Sequence, residues 1–144
     1  MNTRLLGIDH GDSRIGLAVS DELGSFAHPY RTLQSGAQVL DEICAIVDRE
    51  KISGIVIGLP KNMDGTLGSS AAKAKLFGEQ LAKVIPSMKI LFWDERLTTR
   101  EAQRALHAAG KNTKQSRKMI DQVAAQILLQ NYLDSLQWAR LSNA

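Results

Sequence analysis

Two apolar runs open the chain, at residues 4 to 10 and 14 to 20 within LLGIDHGDSRIGLAVS. They predict two strands joined by a short Gly-Asp-Ser turn, a β-hairpin. After a second turn at DELG, residues 25 to 33 fit a third, more polar strand. Pro29 inside it argues for an edge position or a break, because proline donates nothing to a strand ladder. The period then changes. Residues 37 to 50 repeat at helical spacing, and SGIVIGLP predicts a short β-branched strand stopped by Gly-Leu-Pro. KNMDGTLG is a turn-rich loop, and Ser69 or Ser70 is placed to cap a helix running to about Val84. Pro86 punctuates, KILFW predicts another buried strand, and TTRE supplies a capping box from Thr98 to Glu101 for a helix ending at Gly110. A polar loop over residues 110 to 116 precedes a final helix from about Arg117 to Leu136. The order β-β-β-α-β-α-β-α-α implies an α/β fold. Three antiparallel strands are followed by two parallel ones in a mixed five-stranded sheet, with helices on both faces.

Composition adds bounds rather than identity. With 144 residues, 44% of them hydrophobic, residues 1–144 are expected to form one domain with a single core. The formal charge is +3, and it is uneven. Residues 1 to 86 carry 9 basic and 10 acidic side chains, residues 87 to 144 carry 9 and 5. That basic excess suits an anionic partner and equally suits simple solubility. The single cysteine, Cys44, excludes an intrachain disulfide or a multi-cysteine metal site. It sits among Val39, Leu40, Ile43 and Val47 at helical spacing, which predicts a packed core thiol rather than a nucleophile. No stretch approaches the ~18 consecutive apolar residues of a membrane span, and no signal-peptide pattern opens the chain. A cytoplasmic location is expected, without a membrane partner.

Chemistry concentrates in a few acids that stand in apolar surroundings. Asp9 lies within the first strand, where a buried carboxylate is costly unless something offsets its desolvation. Asp94 and Glu95 follow KILFW at the carboxyl end of a strand, where α/β sheets hold their ligands. Asp121 shares a helix face with Ala125, Leu128 and Tyr132, which points it towards the sheet, although Leu129 and Asn131 blur the stripe. Each acid also has a bland explanation. Asp9 can bond the hairpin turn, Glu95 can pair with Arg96, and Asp121 can favour the first turns of its helix. Together they ask for cations, because carboxylates drawn to one place repel. Hard oxygen ligands suit Mg²⁺ or Mn²⁺. Two such ions roughly 4 Å apart clamp the attacking water and the leaving oxygen of a phosphodiester.

Four stretches, GIDHGDSRIGLAVSD, GLPKNMDGT, DERLTT and IDQVAAQILLQNYLD, resemble the sequence blocks of the YqgF (RuvX-type) family, in order and over nearly the whole chain. The resemblance implies an RNase H-like fold with a resolvase-type core. By motif position it implies Asp9, Glu95 and Asp121 as catalytic acids and metal ligands. The family is described both as Holliday-junction resolvase-like and as a nuclease maturing the 5′ end of pre-16S ribosomal RNA. The second is its usual assignment. The implied partners are therefore precursor rRNA of the small ribosomal subunit, or branched DNA. The chain departs from the family at His10, where an apolar or aromatic residue is commoner. It departs again at Asp12 and Ser13, which replace a Thr-Lys type of turn and so exchange a cation for an anion. Alternation puts His10 on the opposite strand face from Asp9, so a structural imidazole is expected.

Further candidates surround these acids. In GLPKNMDGT, Gly65 serves backbone geometry while Asn62 and Asp64 can bond their own main chain. The functional reading adds Lys61 and Asn62 as substrate contacts. Arg96 divides evenly between a phosphate ligand and an ion-pair partner. Lys111, Lys114, Arg117 and Lys118 form a basic run without an acid, which is either a solvated loop or a flexible nucleic-acid clamp. Trp93 reads as core. Trp138 and Tyr132 are able to stack bases, though helix packing is the simpler expectation. Two rival classes remain. A sugar-kinase or actin-like ATPase also opens with an acidic hairpin, but it closes two such domains around a nucleotide and this chain supplies one. A non-catalytic RNA-binding module has no use for the three acids.

Overall fold

The computed structural model describes residues 3–60, 62, 64–95 and 114–142, with side chains from residue 118 onward in the last segment. Strands β1 (Leu5–His10) and β2 (Arg14–Ser20) form the predicted hairpin, followed by β3 (Ala27–Gln34), helix α1 (Val39–Arg49), β4 (Gly54–Leu59), helix α2 (Ser69–Val84), β5 (Lys89–Asp94) and helix α3 (Lys114–Ser142). The sheet order is β3-β2-β1-β4-β5, with β1–β2 and β2–β3 antiparallel and β1–β4 and β4–β5 parallel. This is the mixed five-stranded sheet expected from the pattern.

Strand alternation separates two cores. Leu6, Ile8, Ile15, Leu17, Ile55 and Ile57 face α1 and α2, where Ile43, Ile46, Ala74, Phe77 and Leu81 meet them. The opposite face carries Ala18 and Val56 and receives Ala125, Leu128, Leu129 and Leu133 of α3. Helices thus cover both faces. The second face is floored by small residues for a steric reason. A Cβ at Gly16 would overlap the Asp121 carbonyl, and one at Gly7 would stand 2.9 Å from the Leu129 Cβ. The helix therefore rides directly on the strand backbone.

Pro29 sits on an edge strand, as its missing N–H requires. The register slips there: Leu17 pairs with Arg31 and Ala18 with Pro29, so Tyr30 is the extra residue of a bulge. Helix α3 protects the start of this edge through three glutamines one turn apart. Gln122 Nε2 donates to Thr32 Oγ1 at 3.2 Å, Gln126 Nε2 to the Ala27 carbonyl at 3.1 Å, and Gln130 Nε2 to the Ser25 carbonyl at 3.1 Å. Gln130 Oε1 also accepts from the Ala27 N–H at 2.8 Å.

Some expectations change. The final helix begins at Lys114 rather than near Arg117 and continues to Ser142 rather than Leu136. Residues 114 to 116 are therefore helix, and so is most of the basic run read as a loop. Lysine, glutamine and arginine propagate helix well, so a polar stretch is no evidence of a break. Gly68, not a serine, occupies the N-cap of α2, with no side-chain cap bond. Cys44 is half-buried at the edge of a groove between α1 and the end of α2, not packed in the core. Trp138 is 72% exposed, so it does not pack as expected, whereas Tyr132 meets Trp93 edge to face at 5.4 Å. The helix expected from Thr98 to Gly110 lies outside the described residues. Among those described, no helix is long and apolar enough to cross a membrane.

The glutamine contacts carry a prediction. Gln130→Ala leaves the Ala27 N–H and the Ser25 carbonyl without their partners and is expected to cost about 1–2 kcal/mol. The exposed Glu79→Ala control should stay within about 0.5 kcal/mol of wild type. Urea unfolding followed by circular dichroism measures both.

Candidate active site

The parallel strands β1, β4 and β5 bring their carboxyl ends to one edge of the sheet, and β2 begins at that same edge. Asp9 stands one residue before the end of β1, opposite Gly16 of β2, on the face that α3 covers. Glu95 follows directly after β5. Its side chain folds back over β4, so that a Cβ at Gly58 would overlap its carboxyl group. Asp121 lies two turns into α3, above Gly16. Three elements distant in sequence thus deliver one acid each to the same edge, and glycines make the room.

The first two acids touch. Asp9 and Glu95 share a side-chain hydrogen bond. Burial raises the Asp9 carboxyl above its ordinary value; the bond from Glu95 works against that rise, and the nearby Asp121 charge adds to it. Glu95 is pushed up to about 8, first by burial, then by the Asp9 charge, by its hydrogen bond to Asp9, and by the Asp94 charge. The directions place the shared proton on Glu95, which donates to Asp9. Asp94 closes β5 in register with Leu59.

Asp121 is held differently. Arg14, the first residue of β2, donates from Nε to Asp121 Oδ2 at 2.7 Å. Among the described residues no three acidic, histidine or cysteine side chains close on one point as a ready-made metal cage. The donor set nevertheless fits a hard divalent cation. It consists of carboxylate oxygens, and two of them are packed closely enough to retain a proton above neutral pH. A cation in place of that proton would relieve both the burial cost and the repulsion.

The remaining candidates divide. Asn62 spends its groups on its own loop: its N–H donates to the Thr66 carbonyl at 2.9 Å and Nδ2 to Thr66 Oγ1 at 3.0 Å. Gly65 takes a φ of 89°, which is the backbone geometry the sequence suggested. Lys118 is exposed at the start of α3, and its carbonyl accepts from Thr32 Oγ1 at 2.6 Å. Lys61, Arg96 and Lys111 lie outside the described residues, as do the side chains of Lys114 and Arg117. His10 takes the opposite face from Asp9, against Phe77 of α2 at 4.9 Å between ring centres. Burial holds its pKa below the ordinary imidazole value, with Asp12 opposing that shift and Lys73 adding to it. Asp12 pairs with Lys73 at 3.0 Å, so the turn's extra anion is answered by a lysine of α2. Arg14 is the residue the sequence reading missed. The signal was there in SRIG, since Arg14 and Gly16 alternate onto the Asp9 face.

A family model described as RuvX, Holliday junction resolvase, matches residues 3–135. The chain belongs to the RuvX family. A relative from Acetivibrio thermocellus, named "Putative pre-16S rRNA nuclease", is 42% identical over 135 residues, covering 92% of this chain and 96% of its own. One of the same name from Clostridium botulinum is 46% identical over 135 residues, covering 92% and 98%. Among solved structures, Thermus thermophilus RuvC in complex with a Holliday junction substrate aligns with a TM-score of 0.57 at 11% identity, covering 94% of this chain and 96% of that one. The Fowlpox virus resolvase, with its junction DNA, gives 0.58 at 10% identity, covering 93% and 99%. These likenesses establish the RuvC-like nuclease fold. The RuvX match spans every element that carries an acid of the site.

The raised carboxyls fix the sign of a pH effect. The fold binds a proton on Glu95 more tightly than the unfolded chain does. The resulting stabilisation is complete below the ordinary value of 4.5 and is lost as pH rises through about 8. Asp9 is shifted in the same direction and adds to the trend. In EDTA, urea midpoints should therefore fall between about pH 5 and pH 8. Glu95→Gln, which keeps a donor towards Asp9 without a titratable proton, should flatten that fall.

Proposed function

We propose that this chain is a metal-dependent nuclease that hydrolyses phosphodiester bonds, with the 5′ end of precursor 16S rRNA as its favoured substrate. The observation that carries the reading is the contact of Asp9 with Glu95, with Asp121 in electrostatic range, at the carboxyl edge of a RuvC-like sheet. The names of relatives with up to 46% identity support rRNA as the substrate. Asp9, Glu95 and Asp121 are the residues that would hold Mg²⁺ or Mn²⁺. When bound, one or two such ions supply Lewis-acid activation of water and charge stabilisation at the phosphate.

The chain's own part is positioning. Asp9 is fixed by the strand on which it stands, Glu95 by its fold over Gly58, and Asp121 by Arg14 and the helix backbone above Gly16. No side-chain nucleophile is required. Lys61, Asn62, Arg96, Lys111, Lys114, Arg117 and Lys118 are the residues we assign to contacts with the nucleic acid. Asn62 contributes there through the shape of its loop, since its amide is already engaged. The site of action that follows is the cytoplasm, on a precursor of the small ribosomal subunit.

The family description favours a second reading, cleavage of four-way DNA junctions. One assay separates the two. Purified protein with Mg²⁺ or Mn²⁺ is presented with precursor rRNA ends and four-way DNA junctions side by side. Cleavage of the RNA is expected; cleavage confined to the junction would establish the second reading, and binding without cleavage a non-catalytic module. Asp9→Asn keeps the shape and removes the charge, so activity should fall by at least about 10³-fold while the circular dichroism spectrum is unchanged. Near-normal turnover in that variant would remove Asp9 from the chemistry.

A further inference from the structure

We infer that Arg14 joins the third acid to the substrate: its Nε holds Asp121 in place, and its terminal amino groups receive a phosphate of the nucleic-acid strand. The inference rests on the nuclease reading above. Its basis is the geometry of one side chain. Arg14 opens β2 on the same strand face as Gly16, and hence on the face of Asp9. Its Nε donates to Asp121 Oδ2 at 2.7 Å, and its two terminal amino groups have no hydrogen-bond partner among the described residues. The pair is partly open to solvent, 31% exposed for Arg14 and 19% for Asp121.

A guanidinium is a planar fork with five donors. One spent on a carboxylate leaves a free two-pronged edge of the kind that binds phosphate oxygens. A purely structural ion pair between β2 and α3 has no need to leave that edge at the rim of an acidic site. The placement also answers a local need. The hairpin turn next to the acids carries Asp12 instead of a cation, and Asp12 is already matched by Lys73 on α2. Arg14 is then the positive group that the hairpin itself brings to Asp121, in a site where three carboxylates would otherwise repel an anionic strand. Towards the metal Arg14 acts as a positioning residue: outer partners that orient a ligating carboxylate typically account for 10- to 100-fold in metal affinity.

Two readouts, neither of them cleavage, test both halves on the full chain. The first is Mn²⁺ binding by isothermal titration calorimetry. The second is binding of a single-stranded RNA oligonucleotide in EDTA, by fluorescence anisotropy across a salt series. Arg14→Gln is expected to weaken Mn²⁺ binding roughly tenfold or more. It should also reduce the slope of log affinity against log salt by about 0.7, the contribution of one phosphate contact on a single strand. Arg14→Lys keeps the charge and loses the fork, so the slope should survive while the Mn²⁺ affinity falls. Wild-type values for Arg14→Gln in either readout would overturn the inference and leave an ordinary ion pair. Tighter Mn²⁺ binding in Arg14→Gln would overturn it too, because Arg14 would then merely compete with the metal. If Arg14→Gln does not fold, the Arg14→Lys result decides alone: unchanged Mn²⁺ affinity overturns the inference. Asp9→Asn separates the two levels. If it binds Mn²⁺ like wild type, the nuclease reading fails and this inference with it. If it loses Mn²⁺ and Arg14→Gln does not, only this inference fails.

Discussion

Two carboxyl groups pressed together away from bulk water set the terms for this end of the molecule. Asp9 and Glu95 cannot both ionise cheaply, and the fold answers with a proton held on Glu95. Such an arrangement persists only if the scaffold prevents the two groups from moving apart. Asp9 is part of a central strand with neighbours on both sides. Glu95 is confined by the close approach of its side chain to Gly58. The parallel pairing of β1, β4 and β5 then matters for a specific reason. It is what brings the end of β1 and the end of β5 to one edge of the sheet.

The third acid depends on a different kind of constraint. A helix laid on a sheet is ordinarily held off by the side chains of both. Here α3 comes closer, because Gly7 and Gly16 have no side chains to hold it off. The approach is uneven in chemistry. Leu128, Leu129 and Leu133 supply the apolar contact, while Gln122, Gln126 and Gln130 bind the polar groups of β3 alongside it. Amide-to-backbone bonds are directional, so they fix the rotation of the helix about its axis as well as its position. That rotation decides whether Asp121 faces Arg14 or open solvent. The site's geometry is thus partly set by glutamines that start at the residue after Asp121 and continue along the same helix.

Much of this was legible in the sequence because it follows from periods. Alternation placed Asp9 and His10 on opposite faces, and their surroundings agree. The helical stripe pointed Asp121 at the sheet despite its imperfection. The imperfection has a cause: Leu129, which blurs the stripe, is itself fully buried against Gly7, so the buried face is wider than the stripe. Pro29 marked the edge strand through its missing donor. What was not legible depended on distance across the fold. Alternation in SRIG puts Arg14 on the Asp9 face but does not pair it with a residue 107 positions away. Gly16 and Gly58 looked like ordinary strand glycines until the groups resting on them were known. The start of α3 was misread because a basic, polar stretch was taken for a loop, although its residues are good helix formers.

The two compensations lie within the chain itself: one acid is neutralised by a proton and another is matched by a guanidinium. Were the proposed divalent cation to bind, Asp9 and Glu95 would meet it as a pair already held together, and Asp121 as a carboxylate already held by Arg14. The two compensations also differ in kind. The proton on Glu95 is exchangeable with solvent. The guanidinium is permanent, since arginine does not lose its charge in proteins. Arg14 is therefore a fixed charge beside Asp121, while the Asp9 and Glu95 pair is the part whose charge changes. A site divided in this way carries its fixed countercharge beside the helix acid and its titratable pair at the ends of the strands.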